Sequence, residues 1–171
     1  MLRIYDEYKK YGVDKYYKEF SNKYVNPHEE KIEQVYVKYI KNMINTNDKI
    51  LDLACGEGLI SRLINKYNNN CNYNIKGTDP YFKNKYCHYN YSFQDIALGI
   101  MNNKFDIIIC CYAYHLLENS WQYSFLNSLA EITNIFTILS PSKKIKIKHP
   151  KWKLIEEYRE DKITILILQT I

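Results

Sequence analysis

No run of about 18 apolar residues occurs in the sequence, so no membrane-spanning helix is expected. The segment Met1 to Lys10 is charged and polar and lacks the apolar core of a secretory signal, so an intracellular, cytoplasmic protein is expected. The five cysteines, Cys55, Cys71, Cys87, Cys110 and Cys111, include no C-x-x-C pair. That spacing suits reduced thiols better than a disulfide framework, and it offers no zinc site, so no metal is expected. No internal repeat is visible. Neither charge dominates: the net charge is +5. Lysines are spread along the chain, with a denser patch from Lys143 to Lys153. Such a patch either meets RNA phosphates or forms an ordinary solvated surface.

The chain has 171 residues, 46% of them hydrophobic, which suffices for one domain with a sizeable core. The most informative stretch is Ile50-Leu51-Asp52-Leu53-Ala54-Cys55-Gly56-Glu57-Gly58-Leu59-Ile60. A short apolar run of buried-strand type gives way to glycines, and Leu59, Ile60, Leu63 and Ile64 resume at helical spacing. In an open α/β sheet, a strand–glycine turn–helix unit lies at the carboxyl end of the strand, where ligands bind. Glycines admit a ligand close to the backbone, and the helix start offers free N–H groups. No Gly-Lys-Ser/Thr follows, which excludes a Walker phosphate loop. The third glycine of a dinucleotide turn is also missing, and the Asp52 carboxylate would repel a pyrophosphate. A ligand carrying a cation would be attracted.

The remaining elements follow in order. Residues 1–45 are expected to form a helical cap or lid, with an amphipathic helix from Glu29 to Ile44, and residues 46–171 the ligand-binding unit. The run Asn68 to Asn74 reads as a surface loop. Ile75 to Tyr81 reads as a second strand ending at Asp79, where an acid normally meets ribose hydroxyls. Lys104 to Tyr112 is apolar enough to be buried on both faces, and Asn119 or Ser120 can cap the helix after it. Asn134 to Leu139 is a fifth strand, Trp152 to Tyr158 a short helix and Ile163 to Ile171 a single last strand. The expected C-terminal sheet edge is therefore reduced.

The heptad Asp52 to Gly58 resembles the first motif, D-x-[GA]-x-G-x-G, of class I S-adenosylmethionine-dependent methyltransferases. Asp79, Asp95 and the buried fourth strand follow in the order that family uses, and the likeness covers residues 48 to 140. It implies a Rossmann-like α/β sandwich with a mostly parallel sheet, and S-adenosyl-L-methionine as cofactor. By that resemblance Asp52, Ala54, Cys55, Gly56 and Gly58 receive the methionine portion, and Asp79, with Pro80 and Tyr81 beside it, the ribose and adenine face. Asp95 and Ile96 fall where the family holds the adenine amino group and ring. Cys111 and Tyr112 end the fourth strand, which faces the methyl group.

His115, just past that strand, is the first candidate general base, and His28 in the lid is the second. No [DNS]-P-P-[YFW] follows the fourth strand, which disfavours methylation of an adenine or amide nitrogen in that style. The expected function is methyl transfer to a small-molecule acceptor, with RNA or protein as alternative substrates. A catalytically idle cofactor-binding partner subunit and an NAD-binding oxidoreductase are the rival readings.

Overall fold

The computed structural model describes residues 4–20, 26–68, 74–143 and 145–171. Its centre is a sheet in the order β3-β2-β1-β4-β5-β7-β6. The strands are β1 (Lys49–Leu53), β2 (Asn74–Thr78), β3 (Cys87–Tyr89), β4 (Phe105–Cys111), β5 (Thr133–Ser140), β6 (Trp152–Glu160) and β7 (Ile163–Thr170). β1 to β5 run parallel, and β7 is antiparallel to both β5 and β6. The helices are α1 (Ile4–Tyr11), α2 (Val13–Phe20), α3 (Glu29–Val35), α4 (Leu59–Tyr67), α5 (Phe93–Ala97) and α6 (Asn119–Ile132).

The strands alternate their apolar side chains between two covered faces. Ile50, Ile107, Ile109, Ile165 and Ile167 face one layer, where they meet Ile32, Val35 and Ile40 from the α3 region and Ile60 and Ile64 of α4. Leu51, Leu53, Ile108, Phe136 and Leu166 face the other, against Ile96 of α5 and Phe125, Leu126 and Leu129 of α6. Trp152 closes this second layer, its buried Nε1–H donating to the Leu126 carbonyl at 2.8 Å. Strand order reverses between β1 and β4, because β2 and β3 lie to one side of β1 and β4 and β5 to the other. Ligands of open α/β sheets bind above the carboxyl ends at such a reversal.

The α/β sandwich agrees with expectation, and three local readings need correction. The helix expected from Glu29 to Ile44 keeps its apolar face but changes pitch: α3 runs into a π turn at Tyr36–Ile40 and a 3-10 turn at Lys41–Met43. The start of α6 is capped by neither Asn119 nor Ser120; Glu118 holds the N-cap position with no side-chain bond. Most important, the C-terminal edge is complete. Trp152 to Tyr158 is not a helix but part of β6, which forms an antiparallel hairpin with β7. The Asn-rich loop lies largely outside the described residues.

Candidate functional site

A cavity of about 860 Å³ opens above the carboxyl ends of β1, β2 and β4. That size accepts a cofactor-sized ligand. Its floor is the glycine turn. Ala54 leaves β1 with φ 56°, in the left-handed region that costs a residue bearing Cβ about 1–2 kcal/mol. Gly58 follows at φ 73°, and a Cβ there would lie 2.2 Å from the Tyr86 ring. The turn is tied down from the loop after β2, since Asn84 Nδ2 donates to the Gly56 carbonyl at 2.9 Å.

Two carboxylates meet this turn. Asp52 is 2% exposed, and its Oδ2 accepts from Ser61 N at 3.1 Å and Ser61 Oγ at 2.9 Å. It therefore caps the first turn of α4 from inside β1. Both bonds fall on one oxygen, so the other retains accepting capacity. Burial pushes this carboxyl up to about 7, against the opposing pull of the Ser61 bonds. Asp79 accepts from Tyr81 N at 2.9 Å and Phe82 N at 3.2 Å through Oδ1, and from Gly56 N at 3.1 Å through Oδ2. The three N–H donors fix its orientation, and a carboxylate has about four accepting sites, which leaves capacity for a further donor. Burial raises its pKa too.

Above β4, Cys111 and Tyr112 line the cavity. Tyr112 has φ 56°, and burial pushes its phenol up to about 12, so it is a neutral donor at physiological pH. The opposite wall comes from the N-terminal segment: Tyr11, Gly12, Val13, Asp14 and Tyr17 all line the cavity. Tyr17 stacks on Tyr81 with ring centroids 5.5 Å apart, and the Tyr81 hydroxyl donates to Asp14. Residues 11–17 thus roof part of the cavity.

Of the residues singled out in the sequence, Asp52, Ala54, Cys55, Gly56, Asp79, Pro80, Tyr81, Cys111 and Tyr112 line this one cavity. Gly58 lies within the turn, beneath Tyr86. Asp95 and Ile96 are not brought there. Asp95 is the third residue of α5 and closes a capping box with Ser92: its Oδ2 accepts from Ser92 N at 2.8 Å and Ser92 Oγ at 2.7 Å. Ile96 is turned into the core. The cavity is lined instead by Tyr91, Ser92, Phe93 and Gln94. The signal for this was present, since Ser-x-x-Asp before an apolar pair is a helix-start pattern. His115 is exposed and does not line the cavity. His28 does not line the cavity either, but its ring lies 5.2 Å from that of Tyr112, which does. Sequence reasoning also missed Arg62, one turn into α4, which lines the cavity and pairs with Glu29 at 2.8 Å.

No family model and no curated protein sequence matches the chain. Solved structures do match it in fold. Against an O-methyltransferase family protein of Burkholderia thailandensis the TM-score is 0.64 at 10% identity, covering 93% of this chain and 59% of that one. Magnesium protoporphyrin IX methyltransferase (ChlM) of Synechocystis PCC 6803, crystallised with SAM and also with SAH, gives 0.58 at 11% identity, over 98% of this chain and 95% of that one. Ribosomal protein L11 methylase of Lactobacillus delbrueckii subsp. bulgaricus gives 0.54 at 9% identity, over 86% and 80%. The chain has the class I methyltransferase fold. Named acceptors among these methyltransferases range from a porphyrin to a ribosomal protein, so the shared fold carries no acceptor with it.

Proposed function

We propose that this chain is an S-adenosyl-L-methionine-dependent methyltransferase acting on a small-molecule acceptor. The observation that carries the reading is the convergence of Asp52, the glycine turn and Asp79 on one cavity at the strand-order reversal. These groups suit the cofactor. The free capacity of Asp52 matches an ammonium, and the remaining capacity of Asp79 matches a ribose hydroxyl. Phe93, Tyr91 and Tyr86 offer flat apolar surface for a purine. The start of α4, with Arg62 one turn in, suits a carboxylate.

When bound, the cofactor supplies an electrophilic methyl group on a sulfonium. The chain's own contribution is to position an acceptor and take its proton. Tyr112, a neutral phenol at the end of β4, holds the acceptor by hydrogen bonding. His28, whose ring lies beside that of the cavity-lining Tyr112, is the candidate base; neither it nor the exposed His115 lines the cavity itself. The roof formed by residues 11–17 covers part of the cavity, which favours a small acceptor over a macromolecule.

The test is calorimetric titration with S-adenosylhomocysteine, with NAD as control, on the native chain and on Asp79→Ala. Saturable binding weakened by about 1–3 kcal/mol in the variant is expected, the cost of a lost charge-assisted hydrogen bond. Preference for NAD, or no binding by the folded chain, would overturn the assignment.

A further inference from the structure

Behind the glycine turn two thiols meet that methyl transfer does not use. Cys55 follows β1 and Cys87 opens β3, yet their Sγ atoms lie 3.0 Å apart. β2 runs between them, and its Gly77 pairs with Cys87. A Cβ at Gly77 would lie 2.8 Å from Cys55 Sγ. The missing side chain is thus what lets Cys55 reach across the middle strand. A disulfide requires about 2.05 Å between sulfurs, so closure asks for a shift of only about 1 Å.

Access to the two sulfurs is unequal. Cys55 is buried, whereas Cys87 is half-buried and lines a second cavity of about 350 Å³ that also contains Lys83 and His88. The hydrogen bond between the two thiols pulls Cys87 below the ordinary thiol value and, with burial, pushes Cys55 up.

We propose that Cys55 and Cys87 form a thiol–disulfide pair, oxidised by a low-molecular-weight disulfide entering at β3, and that the bond ties the glycine turn to β3. The Cys87 thiolate attacks one sulfur of the oxidant, forming a mixed disulfide and releasing one thiolate. Cys55 then loses its proton and attacks the Cys87 sulfur, and the second half of the oxidant leaves as a thiol. Two protein thiols are oxidised and one external disulfide is reduced to two thiols. Nothing in this exchange requires a ligand in the main cavity, so it stands or falls separately from the cofactor assignment.

The test incubates the folded chain with oxidised glutathione, blocks remaining thiols and maps the peptides by mass. Expected is a Cys55–Cys87 cross-link with loss of two hydrogens, reversed by a dithiol. In Cys55→Ser, Cys87 should retain glutathione as a mixed disulfide, because its resolving partner is gone. The proposal is overturned if wild type yields both cysteines as free thiols under oxidant that oxidises the unfolded chain. Linkage of either one to a different cysteine also overturns it.

Discussion

Asp52 ionises near 3.8 when exposed and near 7 in the folded chain, because its burial outweighs the two Ser61 bonds. The native state therefore holds a proton that the unfolded state has released between these values. Stability falls as pH rises through this window, by roughly 4 kcal/mol in total at about 1.4 kcal/mol per unit, and levels off above about 7. Denaturant titrations between about pH 5 and 8 should show this slope in wild type and a reduced one in Asp52→Asn, whose amide oxygen can still accept from Ser61. Some slope persists in the variant, because Asp79 is shifted in the same direction. Cofactor affinity should move the opposite way, tightening toward pH 7 as the carboxylate becomes available to an ammonium. A second residue-level prediction concerns Gly77. A Cβ there would stand 2.2 Å from the Tyr86 carbonyl and 2.8 Å from Cys55 Sγ, and a backbone oxygen does not give way. Gly77→Ala should lose about 1–3 kcal/mol by overpacking, read from the shift in denaturation midpoint. Placement at the cavity was legible in the sequence where one motif fixes one conformation, as at Asp52 and Asp79. It was not legible at Asp95, because the same carboxyl also completes a capping box. The local bond won, since an N-cap partner three residues away costs little chain entropy to reach.

Among the elements, the C-terminal hairpin shows how an edge strand hides. Trp152 to Tyr158 carries Lys153, Leu154, Glu156 and Glu157, good helix formers that favour a helical reading. β6 has only one neighbour, so most of its side chains are exposed and no strict apolar alternation is imposed. A bulge near Ile155 further shifts the phase of its pairing with β7. The turn itself is compact: Asp161 and Lys162 both have positive φ, at 48° and 71°. That is the backbone of a type I′ hairpin turn, for which Asp-Gly is a preferred pair. Lys162→Gly should therefore stabilise the fold by about 1 kcal/mol, the relief of a left-handed residue, visible as a raised Tm. β4 gave the opposite experience, since neighbours on both sides and cover on both faces leave a continuous apolar run that is readable at once.

At the scale of the whole molecule, strand order decides where the cavity lies, and the N-terminal segment supplies one of its walls. The reversal between β1 and β4 places Asp52 and Tyr112 at neighbouring strand ends, although 60 positions of chain separate them. That convergence was readable from the order of the motifs. The sequence marks residues 1–45 as a cap or lid, but which of them line the cavity was not legible, because α2 buries no residue and no motif marks its contacts. Its hold on the rest of the protein includes the Tyr17–Tyr81 stack and the Asp14–Tyr81 hydrogen bond. Contacts at exposed and half-buried positions such as these contribute little to global stability, and all three residues line the cavity. Replacing Tyr17 and Asp14 together by Ala should leave the denaturation midpoint nearly unchanged. The same replacement should speed both entry and release of S-adenosylhomocysteine, measured by stopped-flow fluorescence. If release alone accelerates, the aromatic stack is contributing contact to the bound ligand. If both rates rise in proportion, residues 11–17 act as a gate whose opening limits exchange, because lifting a barrier changes the two rates equally and leaves affinity untouched. Unchanged rates in a folded variant would show that ligand reaches the β4 end by another route, and would remove the steric argument for a small acceptor.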